Sequence, residues 1–90
     1  MDDKIMNDTY MEAMHRFFFV LRALKRDHHL YMHSHFDIYK PGFIEVWENG
    51  NHCICRVQEK EDAECYRRAA EILESYQRRE ERRKDERKTG

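Results

Sequence analysis

Proline and glycine are scarce in this 90-residue chain, with one Pro (Pro41) and three Gly (Gly42, Gly50 and Gly90). That leaves no glycine-rich loop to cradle a phosphate. Cysteine is also scarce, and its count of three is odd, which argues against a disulfide framework. Long apolar runs are missing. The longest is Phe17-Phe18-Phe19-Val20-Leu21, far short of the roughly 20 residues that a membrane span needs. The acidic start, MDDKIMND, has neither the basic n-region nor the h-region of a secretory signal. These absences read as a cytosolic protein with reduced thiols and no membrane partner. Charge of one sign is not in excess either: 17 Lys+Arg stand against 18 Asp+Glu, a net charge of −1. Affinity for polyanions grows with accumulated positive charge, so the chain as a whole is a poor general polyanion binder.

What the sequence does contain is unevenly spread. Its 40% apolar content lies entirely within the first 76 residues, and the run QRREERRKDERKTG at 77–90 has none of it. Residues 1–76 carry ten basic and fourteen acidic side chains, whereas 77–90 carry seven and four. This reads as a flexible start at 1–8, one small domain at 9–77 and a charged, solvated tail at 78–90. Charge asymmetry between body and tail is a mark of contact with nucleic acid or an acidic partner.

Thr9 and Glu12 have the spacing of a capping box, and behind them Tyr10, Met14, Phe17, Leu21 and Leu24 recur at helical spacing. The first helix is therefore predicted at about 9–26. From His28 the period changes to two, and Leu30, Met32, Ser34, Phe36 and Ile38 alternate with more polar neighbours as in a strand. Lys40-Pro41-Gly42 is a turn, Phe43 to Glu48 a second strand, and Asn49-Gly50 a type I′ hairpin turn into a third strand ending near Gln58. Asp62 is placed to cap a last helix, with Tyr66, Ala69, Leu73 and Tyr76 as its apolar stripe to about residue 77. The predicted fold class is α+β: α-β-β-β-α, a three-stranded antiparallel meander packed by two helices, with a charged helical extension.

A two-residue hairpin at Asn49-Gly50 pairs Trp47 with His52, Val46 with Cys53 and Ile44 with Cys55. One sheet face then shows Ile44, Val46, Cys53, Cys55 and Val57, and the other Phe43, Glu45, Trp47, Ile54 and Arg56. The side on which Phe36 and Ile38 fall depends on whether the Pro41-Gly42 connection is a two-residue turn or a three-residue loop, because a one-residue slip exchanges the faces. The element order is similar to that of double-stranded RNA-binding domains, over about residues 9–76. That family reads RNA through a Gly-Pro-x-His-type loop between its first two strands and a lysine cluster opening its last helix. Here the loop reads Lys40-Pro41-Gly42-Phe43, and the last helix opens Glu59-Lys60-Glu61-Asp62-Ala63-Glu64. The resemblance therefore implies a fold, with acidic residues where the family's phosphate contacts stand.

Three constellations carry chemistry. His29, His33 and His35 share a strand face, and His52, Cys53 and Cys55 lie in the same sheet, which are residue types that zinc accepts. Alternation points His52 away from the two thiols, and no metal or other cofactor is predicted. The thiols themselves read as buried and structural, and no activated nucleophile or carboxylate pair in an apolar pocket is visible, so no enzyme activity is predicted. The second constellation is Arg78, Arg79, Arg82, Arg83, Arg87 and Lys88, an arginine-rich ridge that could lie along phosphates. The third is an aromatic surplus, in which Phe36, Phe43, Trp47, Ile54, Tyr31 and Tyr39 exceed what one sheet face buries and mark an association surface. The reading that follows is a small non-enzymatic protein that occupies a protein partner's surface, a homodimer, of the regulator or inhibitor type that phage and mobile elements encode. The alternative is a nucleic-acid-binding accessory protein using the arginine tail.

Overall fold

Both helices begin with acidic residues and end with basic ones, the order that the helix dipole favours. In the computed structural model, which describes the backbone of residues 2–89 and the side chains of 9–83, α1 spans Asp2–Lys25, with Arg22 and Lys25 in its last turn. The strands follow as β1 (Leu30–His35), β2 (Gly42–Glu48) and β3 (His52–Glu59), and α2 spans Asp62–Thr89 with Asp62 and Glu64 in its first turn. The chain is thus α-β-β-β-α, with one antiparallel sheet in the order β1-β2-β3.

Three local expectations are corrected. Helix α1 begins at Asp2, so Thr9 lies inside it and is not its cap. No Pro or Gly interrupts residues 2–25, and acidic residues at the start suit the dipole. At α2, the Cys65 amide donates to the Glu61 carbonyl at 3.0 Å. This makes Glu61 the capping position and Asp62 the first helical residue. Strand β1 stops at His35, well short of Tyr39. There the Asp37 carboxylate accepts a hydrogen bond from the Tyr39 amide at 2.9 Å, an Asx turn that removes the chain from the ladder.

The connection at Pro41-Gly42 is neither of the two tight alternatives. His35 pairs with Phe43, so the intervening residues form a longer loop. Phe36 leaves the sheet within that loop and stacks on Tyr66, with centroids 5.3 Å apart and planes at 26°. Its ring lies so close over Gly42 that a Cβ there would be 2.8 Å from it.

The β2–β3 turn has the predicted positive φ angles, 57° at Asn49 and 77° at Gly50, and the Asn51 amide donates to the Glu48 carbonyl. The pairing differs from the predicted one. Glu48 faces His52 and Trp47 faces Cys53, but Val46 faces Cys55 and Ile44 faces Val57. One extra residue, Ile54, is accommodated as a bulge between them. Two consequences follow for faces. Cys53 is aligned with Trp47, off the core face predicted for it. Ile54, predicted to share a face with Trp47, is half-buried and packs against the core.

The core holds Phe17, Ile44, Val46, Cys65 and Leu73 essentially out of solvent. Tyr66 sits at its aromatic centre, with Tyr10, Phe17, Phe18 and Phe36 all within 6.1 Å centroid to centroid. Contacts between the helices advance together along both: Tyr10 meets Tyr66, Arg16 meets Glu74, and His28 meets Tyr76 and Glu80. The helices therefore run parallel. Both bury their apolar sides in the same core as Ile44, Val46, Cys55 and Val57, and so both cover the same face of the sheet.

Candidate functional site

Among the described residues, no element covers the opposite face of the sheet. Register places three residues on each strand there, in three rows. The first row is Tyr31, Trp47 and Cys53, the second His33, Glu45 and Arg56, and the third His35, Phe43 and Gln58. Trp47 and Phe43 are half-buried by their neighbours and Tyr31 is exposed.

Glu45 is the polar centre of the grid. Its carboxylate accepts from the Trp47 indole Nε1 at 3.2 Å and from Arg56 Nε at 2.7 Å. The indole hydrogen bond, then Arg56, with His33 also contributing, holds the Glu45 carboxyl below the usual carboxylate range. These bonds fix the indole plane and leave the face with one anion beside one guanidinium.

Of the residues that sequence patterning marked as an association surface, the fold brings Tyr31, Phe43 and Trp47 together. Tyr39 stands on the β1–β2 loop at 90% exposure, next to Ile38 at 92%. Phe36 and Ile54 are drawn to the helix side instead. The arginines Arg78, Arg79, Arg82 and Arg83 are exposed on α2, where Arg78 donates to Ser75 Oγ and Arg83 to Glu80. The side chains of Arg87 and Lys88 lie outside the described residues. Because the helices are parallel, Arg22, Lys25 and Arg26 of α1 and the turn after it occupy the same end of the molecule as these arginines, a proximity in no way visible in the sequence.

One cluster escaped sequence reasoning altogether. At the α1–β1 junction, His28 lies between two carboxylates, its Nδ1 3.7 Å from Glu48 and its Nε2 4.0 Å from Glu80. Its ring packs edge-on against Tyr76, whose hydroxyl donates to Glu48. Burial and the Glu48 carboxylate push the Tyr76 phenol up. The group borders a cleft of about 440 Å³ and ties the charged part of α2 to the sheet. Its members come from positions 28, 48, 76 and 80, so no local spacing could have revealed it.

Two of the three thiols are chemically quiet. Burial pushes Cys55 up to about 12 and raises Cys65, so neither forms the thiolate that nucleophilic chemistry needs. Among the described residues, no three His, Cys, Asp or Glu side chains converge as a metal would require, and no helix is long and apolar enough to cross a membrane. Comparison with models of known families, with curated proteins and with solved structures finds no match.

Proposed function

We propose that this chain is a small non-enzymatic interaction protein whose open sheet face docks on another protein. The observation that carries the reading is the uncovered three-by-three grid with Trp47, Phe43 and Tyr31 in it. An antiparallel sheet with one solvated face ordinarily alternates apolar inward and polar outward. Here β2 turns two large aromatics outward, and Trp and Tyr are the residues that anchor interfaces. The two raised thiols support the non-enzymatic part, and three unpaired cysteines suit a reducing compartment such as the cytosol. A regulator or inhibitor that acts by occupying a partner's surface fits this size and surface.

The test is substitution on the face with the fold monitored. Trp47→Ala and Tyr31→Lys are expected to abolish association while far-UV circular dichroism and melting temperature stay near wild type. Loss of fold in both variants would make these residues structural and end the reading.

A second reading has its own support. The parallel helices gather Arg22, Lys25, Arg26, Arg78, Arg79, Arg82 and Arg83 at one end, against Asp27, Glu80 and Glu81. Contact with about four phosphates there would cost labelled duplex DNA or RNA on the order of 100-fold in affinity between 50 and 200 mM salt. Absence of binding at 50 mM would remove it.

A further inference from the structure

We infer that the occupant of the open sheet face is a second copy of this chain, stacked about a two-fold axis that runs along the strands between β1 and β2. The inference rests on the docking reading above and names its partner.

The face is not uniform. Its β1–β2 half holds every aromatic and both histidines, whereas the β3 column is Cys53, Arg56 and Gln58. An apolar patch bordered by polar groups is the anatomy of a protein–protein contact, with β3 as its rim. In a two-fold contact each residue pair occurs twice, so the patch must complement itself.

With the axis between β1 and β2, each β1 lies over the partner's β2 and the rows stay in register. Tyr31 then faces the partner's Trp47, His35 the partner's Phe43, and His33 the partner's Glu45. A Tyr–Trp pair fills one outer row, a His–Phe pair the other, and an imidazole meets a carboxylate in the middle one. Moving the axis onto β2 would stack Glu45 on its own copy, a like-charge contact that opposes the alternative.

Charge also allows self-association through this face. The chain carries 17 Lys+Arg against 18 Asp+Glu, so two copies meet with little net repulsion. On the grid the single carboxylate is already paired with Arg56 at 2.7 Å. Burying it against a second copy therefore brings its counter-charge along. Only three residues on each of two strands form the centre, so the contact belongs to the small interfaces, below about 1,200 Å² in total.

The experiment uses the full chain. Sedimentation equilibrium from about 1 to 200 µM should reveal a species of twice 11.2 kDa. Trp47→Ala should weaken it by about 30-fold. Tyr31→Lys, on the exposed edge strand, should do the same if Trp47→Ala proves too unstable to use. A benzophenone amino acid at position 31 should photo-cross-link to the second copy at residues around Trp47. A monomer at every concentration, or cross-links on α1 or α2, would overturn the inference. In that case the same probe in cells separates the two readings. A Trp47-dependent cross-link to a different protein would retain the docking face and remove the dimer, and no Trp47-dependent cross-link would remove both.

Discussion

Gly42→Ala and Gly50→Ala are the same chemical change, yet the structure predicts different costs with different cures. A Cβ built on Gly42 would stand 2.8 and 2.9 Å from two carbons of the Phe36 ring, and 3.3 Å from the Asp62 carboxylate. Carbon atoms rest at about 3.5–4.0 Å, so the ring must retreat by close to an ångström. It cannot do so freely, because it is stacked on Tyr66 at the aromatic centre of the core. Overpacking of this kind costs about 1–3 kcal/mol. Against it stands a gain of about 0.5–1 kcal/mol, since Ala loses less backbone entropy on folding than Gly. Gly42→Ala should therefore destabilise by about 1–2 kcal/mol. In a Phe36→Ala background the ring clash disappears and only the 3.3 Å approach to the Asp62 carboxylate is left against the gain, so the same substitution should become close to neutral or stabilising. Gly50 has nothing within 4 Å of such a Cβ, but its φ is +77°. Its cost, about 1 kcal/mol, is the price of a left-handed conformation for an L-residue, and Phe36→Ala should leave it unchanged. Urea unfolding of wild type, the three single variants and the two double variants gives the coupling directly. If Gly42→Ala costs the same with and without the Phe36 ring, the close-approach account is wrong.

Three further outcomes follow from the same contacts. The Glu45, Glu64 and Glu74 carboxyls are held below the usual range by Trp47 with Arg56, by Arg67 and by Arg16 respectively. Their stabilisation is complete above the unfolded carboxylate value of about 4.3 and is lost as pH falls through the folded values. Arg16→Met should flatten that acid limb of urea midpoints between pH 3 and 6, and an unchanged slope would disprove the Glu74 assignment. A thiol reagent at pH 8 should modify the half-buried Cys53 well ahead of Cys55, pushed up to about 12, and of Cys65; equal rates in the folded protein would contradict the burial argument. Tyr76→Phe takes the hydroxyl donor from Glu48 and should cost about 1–2 kcal/mol. It should also speed hydrogen exchange in α2 beyond residue 76, and unchanged exchange there would show that the His28 cluster does not hold the helix.

Periodicity made the element order legible, because apolar spacing near 3.6 and then 2 depends only on which face is buried. The core face of β2, Ile44 and Val46, and the type I′ turn at Asn49-Gly50 were equally readable. Register was not. The bulge at Ile54 adds one residue between Val46 and Trp47, and nothing in the run His52-Cys53-Ile54-Cys55 announces it. Glu48 already pairs with His52, a shift of one made at the turn, so the bulge brings the total to two: Cys55 and Val57 still face the core, while Cys53 and Ile54, which lie before that second step, exchange sides. Phe36 escaped for a different reason. Strand alternation continued through it, but the Asp37 carboxylate satisfies the Tyr39 amide locally and ends the ladder first. Of the open face, Phe43 and Trp47 were recoverable from β2 alternation, whereas the side of Tyr31 hung on the length of the β1–β2 connection, which the sequence left open. The His28 cluster was not, since it depends on the helices being parallel, a long-range property.

The open face itself follows from the number of elements and the way they pack. Three strands about 4.8 Å apart make a sheet roughly 14 Å wide, and two helices packed 8–10 Å apart cover that width. Parallel packing on one another, through Tyr10–Tyr66 and Arg16–Glu74, commits both to the same side. Among the described residues, no element lies on the other side. A sheet left this way could present only polar residues to water, and in its β3 column it does. β2 instead presents Phe43 and Trp47 around a carboxylate whose oxygens are both occupied, by the indole and by Arg56. Water therefore has little to gain from the two rings and their carboxylate, whereas a second aromatic surface would gain the burial of both rings. The same half carries no unpaired charge for a partner to desolvate, which is why the docking proposal and its self-associating form both centre on Trp47.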